Sequence, residues 1–208
     1  MEPRSLTAEI AAAAARLVVD EGMEYGAAKR KAARSLRGAS PRAAELPSND
    51  AVEDEVRDYL QLFCADTQPG ELAALRRHAL PWMQRLAEFR PHLAGAVWRG
   101  TATRLSSLHL DLYCDDPKAA EIALINLGLD YDVAGGDSGS RGEPVTVLTL
   151  ASRCTELGDT VTVHLHVHDA DALRGALKPD ARGRTLRGDA GALRRLLAAE
   201  GDARRAER

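Results

Sequence analysis

From Val161 to His168 the chain reads Val-Thr-Val-His-Leu-His-Val-His, a strict alternation of apolar and polar side chains. A strand turns successive side chains to opposite faces. Val161, Val163, Leu165 and Val167 must therefore share one face, and His164, His166 and His168 the other. That pattern demands a sheet buried on one side only, with three imidazoles on its polar side. Leu108 to Tyr113 repeats it, with Leu108, Leu110 and Leu112 set against His109, Asp111 and Tyr113. Paired side by side, the two strands put His109 and Asp111 on the imidazole face.

The chain before Pro91 carries the other period. Thr7–Asp20, Tyr25–Leu36, a segment from Ser48 or Asn49 to Phe63, and Glu71–Phe89 each place apolar residues at helical spacing. Thr7 is the expected cap of the first helix, and Leu36 and Phe63 belong to the apolar stripes of the second and third. Gly22 and Gly38 end the first two helices, and Ser40 to Ser48 reads as a linker. After Pro91 the expected order is a strand at Leu93–Trp98, a Gly-Thr loop, the strand Leu108–Tyr113 and a helix started by Pro117 and closed by Gly128. Strands at Leu129–Val133, Val145–Ala151 and Thr160–His168 follow, the last two as a hairpin through Gly158-Asp159. A glycine-rich flexible loop is expected at Gly135–Pro144. A short helix at Asp169–Leu177, a basic loop at Lys178–Gly188, a last helix at Asp189–Ala199 and a polar tail complete the chain. This gives an α+β fold: an N-terminal helical region over residues 1–66, then a small mixed sheet flanked by helices over residues 67–208.

Charge and composition narrow the function classes. A net charge of −3 argues against a generic nucleic-acid binder, and sequence-specific binding is not expected. No apolar run reaches the length of a membrane span, and the first fifteen residues lack the pattern of a signal peptide. Three widely spaced cysteines, Cys64, Cys114 and Cys154, make no disulfide framework. A cytoplasmic location is expected. The preponderance of arginine over lysine and the abundant alanine point to a GC-rich, bacterial source. There is no P-loop, no Gly-x-Gly-x-x-Gly after a strand, no Gly-x-Ser-x-Gly elbow, no Cys-x-x-Cys and no His-Glu-x-x-His. The missing P-loop and the short chain also exclude a three-domain peptidoglycan Mur ligase.

Arg99-Gly100-Thr101, followed after a short loop by a strand with His109 and Asp111, resembles the start of the nucleotidyltransferase fold of the DNA polymerase β type. The resemblance spans Glu71 to His168. In that family a helix and strand lead to Gly-Ser or Gly-Thr, and the next strand carries Asp-x-Asp. The resemblance implies that Gly100, Thr101 and Arg99 bind nucleotide phosphate, and that Asp111 with His109 occupies the catalytic and metal-binding positions. The family's third carboxylate, on a neighbouring strand, falls on the face of His164, His166 and His168. In the other register, Ser106-Ser107-Leu108-His109-Leu110 stands where the family has Ser-Asp-Ile-Asp-Leu, and both carboxylates are replaced.

The expected function is therefore a divergent nucleotidyltransferase-like protein that binds or transfers a nucleotide. One alternative is an inactive binding or regulatory module of the same fold, using the N-terminal helices as a protein-partner surface. Another is a metal-binding protein built on the histidine strand. Imidazole is a poor Mg²⁺ ligand, so Asp111, His109, His164 and His166 suit Zn²⁺, Mn²⁺ or Ni²⁺ better. The same alternation is also met by an ordinary one-sided sheet whose histidines face solvent.

Overall fold

The computed structural model describes residues 5–37, 46–135 and 145–206. The expected Gly38 stop, most of the 40–48 linker, most of the Gly135–Pro144 loop and the end of the polar tail lie outside the described residues. The chain forms two compact units. One holds Met1–Glu71 with Thr101–Ser106; the other holds Leu72–Gly100 with Ser107–Arg208.

The first unit contains α1 (Leu6–Glu21), α2 (Tyr25–Arg37) and α3 (Asn49–Phe63). The cap of α1 is Ser5, not Thr7: its hydroxyl accepts the Ala8 N–H at 3.3 Å, and Thr7 lies inside the helix. Ser48 caps α3 in the same way. Gly22 ends α1 at φ +66°, and an added Cβ would stand 2.7 Å from the Leu105 carbonyl oxygen, so both conformation and space require glycine. Alanines dominate the contact between helices: Ala11, Ala14 and Ala15 of α1 and Ala28, Ala32 and Ala33 of α2 are buried, with Val52, Val56 and Leu60 of α3. Small side chains let the helix axes approach closely. Leu36 and Phe63, expected on the apolar stripes, are exposed.

The second unit begins within α4 (Gln68–Arg85), which contains Pro81 and is followed by a 3-10 turn at Ala87–Phe89. Next come β1 (His92–Ala94), α5 (Gly95–Arg99), β2 (Leu108–Cys114), α6 (Pro117–Asn126), β3 (Asp132–Gly135), β4 (Thr146–Cys154) and β5 (Asp159–Asp169). A 3-10 turn at Ala170–Ala172 leads into α7 (Leu173–Ala176), then β6 (Arg187–Gly188) and α8 (Ala190–Ala206).

Several expectations are corrected: the strand expected at Leu129–Val133 covers Asp132–Gly135, and the last helix does not stop at Ala199 but runs through the expected polar tail to Ala206. Leu93–Trp98 is not one strand: Gly95 at φ +68° breaks the extended run after Ala94, and Gly95–Arg99 is helical. A short apolar run carries no period that separates strand from buried helix. The basic loop ends in a strand, because Arg187-Gly188 pairs with β1. Gly188 is required there, since an added Cβ would run into the Trp98 ring.

The six strands stand in the order β3-β4-β5-β2-β1-β6. β2 and β5 are parallel, and every other neighbouring pair is antiparallel. β4 and β5 form the expected hairpin. Leu108, Leu110, Leu112, Val163, Leu165, Val167, Leu148 and Leu150 make the buried face. α6 packs on β2 and β5 with Ala120 and Leu124 buried. α4 is tied to the same face where His78 Nε2 and Trp82 Nε1 each lie 2.9 Å from Ser152 Oγ of β4. None of the described helices is long and apolar enough to cross a membrane.

Candidate functional site on the polar sheet face

Register places the polar residues in rows. Across the parallel pair, His109 faces His164, Asp111 faces His166, and Tyr113 faces His168. On the other side of β2, Asp111 faces His92 of β1. The structure thus brings His109, Asp111, His164 and His166 onto one face, as the alternation demands.

Two clusters share this face. In the first, His109 Nδ1 lies 3.0 Å from His166 Nε2. The His109 ring stacks on His164 and on His166, with centroids 5.0 and 5.3 Å apart. His164 Nδ1 is 3.0 Å from Thr149 Oγ1 of β4, which fixes that ring. Burial, and then the neighbouring His109, push His166 down from its ordinary value of 6.5 to about 4. At neutral pH its ring is uncharged and keeps one nitrogen lone pair.

In the second cluster, Asp111 is 6% exposed. Its Oδ1 accepts a hydrogen bond from His168 Nε2 at 3.1 Å. Its Oδ2 lies 2.8 Å from Arg187 NH1, a charge contact without hydrogen-bond direction. Arg187 NH1 also donates to the Tyr113 hydroxyl at 2.7 Å. Burial alone would raise the Asp111 carboxyl. The His168 hydrogen bond and the Arg187 and His168 charges outweigh it and hold the carboxyl below its ordinary value. Because a carboxylate only accepts, His168 Nε2 is the donor in this bond.

Gly100 and Thr101 follow the end of α5. Gly100, at φ +86°, closes α5 with its N–H on the Ala96 carbonyl at 2.9 Å. Thr101 is buried, its hydroxyl 3.5 Å from the Tyr25 hydroxyl. Arg99 is the last residue of α5 and not the end of a strand. The strand-to-glycine junction is Ala94-Gly95, where an added Cβ would stand 3.1 Å from His109 Cδ2.

Arg187 is the residue that sequence reasoning missed, and nothing local marks it inside a basic loop. Tyr113 and His168 were legible as members of the polar face, though not as partners of Arg187 and Asp111.

This donor set does not fit a pair of Mg²⁺ ions, because the Asp111 carboxylate is held by Arg187 and His168 and the other donors are imidazoles. It fits a single transition-metal ion better. Two nitrogens bound at about 2.0–2.1 Å to one ion stand about 3 Å apart when adjacent, the spacing of His109 Nδ1 and His166 Nε2. A ring nitrogen of His164 also comes within 4.8 Å of one on His109.

Comparison with family models, curated proteins and solved structures gives no match to this chain.

Proposed function

We propose that the protein is a divergent nucleotidyltransferase-like protein that binds a nucleotide on the polar sheet face, through one transition-metal ion held by His109 and His166. The observation that carries this reading is the placement of those imidazoles on adjacent parallel strands, with their nitrogens 3.0 Å apart. β5 beside β2 is also where the resemblance puts the family's third metal ligand. His109 and His166 would hold a metal ion there, and it would supply positive charge for phosphate, while half-buried Arg187 and buried Asp111 stiffen the same face.

Binding without transfer is the second reading. It is favoured by the commitment of Asp111 to Arg187 and His168, which leaves β2 no free carboxylate for phosphoryl chemistry. Equilibrium dialysis with labelled ATP, with and without Mn²⁺ or Zn²⁺, tests both readings. Metal-dependent retention of ATP, lost in His109→Ala, supports the site. Retention independent of metal, or no retention, removes it. Release of labelled pyrophosphate in the same samples separates transfer from binding alone.

A further inference from the structure

A second place in the second unit has the features of a ligand site, and it stands apart from the nucleotide reading. A cleft of about 370 Å³ opens between the end of α4, the start of β1, α7 and the first turn of α8. Met83, Ala87 and Leu173 line it with apolar surface, and Arg90 and His92 line it with polar groups. It lies where β2 and β5 finish. Arg90 acts electrostatically on Cys114, the last residue of β2, and Leu173 follows the end of β5. The carboxyl ends of parallel strands are a recurrent ligand position in α/β sheets.

Three observations define the ligand's chemistry. First, α8 is seventeen residues long and starts at the cleft. Asp189 satisfies two of its first four N–H groups: its side chain takes Ala192 N–H at 2.7 Å and its carbonyl takes Leu193 N–H at 3.0 Å. The N–H groups of Ala190 and Gly191 remain, at the positive end of the helix. Second, His92 is only 6% exposed and is one of the residues lining the cleft, its ring packed edge-on against Tyr113. Its Nδ1 faces the Arg90 carbonyl at 2.8 Å and so carries hydrogen, while Nε2 makes no hydrogen bond with any described residue. Third, Arg90 is the one non-glycine residue with positive φ among the described residues, at +48°. It makes no ion pair with any described residue. Glycine would hold this turn with less strain, so an arginine here points to work done by its guanidinium.

We propose that this cleft binds the phosphate group of a small phosphomonoester. Arg90, His92 Nε2 and the Ala190 and Gly191 N–H groups hold the phosphate, and Met83, Ala87 and Leu173 hold a compact apolar body. The Asp189 carboxylate beside the phosphate limits the affinity.

Calorimetric titration of the full chain with inorganic phosphate and with phenyl phosphate tests the proposal, alongside amide shifts read by NMR. Both probes bind, phenyl phosphate about tenfold more tightly because its ring buries apolar area. The largest shifts fall on Ala190 and Gly191. Arg90→Gly lowers affinity about tenfold while leaving the melting temperature equal or higher, since it removes a guanidinium contact and relieves the turn. Arg90→Asn, which also tolerates this φ, gives the same loss. Asp189→Ser keeps the helix cap and tightens binding. No heat with either probe overturns the proposal. So does unchanged affinity in both Arg90 variants, or phenyl phosphate no tighter than phosphate. Shifts that fall on His109 and His166 would place the phosphate on the sheet face and overturn this site while supporting the nucleotide reading.

Discussion

Arg187 NH1 lies 2.8 Å from Asp111 Oδ2, so a two-residue edge strand is tied to the central strand β2 across β1 by an ion pair between a half-buried guanidinium and a buried carboxylate. Arg187 NH1 also holds the Tyr113 hydroxyl, and Asp111 also holds His168. One charge pair therefore sets the position of two further side chains on the polar face.

Removing Arg187 leaves the buried Asp111 carboxylate without its charge partner. Arg187→Met is expected to destabilise the protein by about 3–5 kcal/mol. Adding Asp111→Asn should recover part of that loss, because no lone carboxylate then remains. Urea unfolding of both single variants and the double variant checks this. Strictly additive losses would show that the two side chains are not coupled.

His166 gives a pH dependence in the metal-free protein. Its folded pKa is lowered to about 4, against about 6.5 when exposed. The unfolded chain therefore binds more protons between these values, and folding stability falls as pH drops from about 6.5 to about 4. The full effect is roughly 3 kcal/mol. Asp111, held below its ordinary value, adds its own loss only below about pH 3.9, as pH falls through its folded pKa. Unfolding curves at several pH values in the presence of chelator, for wild type and His166→Gln, should show a flatter profile in the variant over the upper window. An equal slope in both proteins would refute this account of His166.

Gly188→Ala is expected to destabilise by more than about 2 kcal/mol. An added Cβ would overlap the Trp98 ring, which is itself fixed by its Nε1 donating to the Thr185 carbonyl at 2.9 Å. A thermal melt decides; a shift within error would mean that Trp98 moves freely.

Gly95→Ala tests the junction beside His109. Left-handed backbone costs an alanine about 1–2 kcal/mol, and the new Cβ presses on His109 Cδ2. Lower stability together with weaker Zn²⁺ binding is expected. A variant that loses stability but binds Zn²⁺ as before would separate Gly95 from the site.

The sheet face was legible because its signal is local and periodic. In β2 and β5 every second residue is apolar, so the shared face of His109, Asp111, His164 and His166 followed from alternation once the strands were neighbours. The first three helices were legible for the same reason, from their 3.6-residue spacing and from Gly22. What failed was non-periodic. Arg187-Gly188 is too short to show a period, and its pairing with β1 depends on residues almost a hundred positions earlier in the chain. Likewise, Leu93–Trp98 is apolar throughout, and only the φ of Gly95 divides it into strand and helix. The Gly100 N–H closing α5 and the burial of Thr101 were likewise not legible, because both are set by packing rather than by local pattern.

The central claim is that His109 and His166 form one ligand pair for a transition metal. Calorimetric titration at pH 7.5 with Zn²⁺ and with Mg²⁺, on wild type, His109→Ala and His166→Ala, tests it most directly. The account predicts one Zn²⁺ per wild-type chain, loss of that binding in each variant, and no measurable heat with Mg²⁺. Tight Mg²⁺ binding, or Zn²⁺ binding unchanged in both variants, would contradict it.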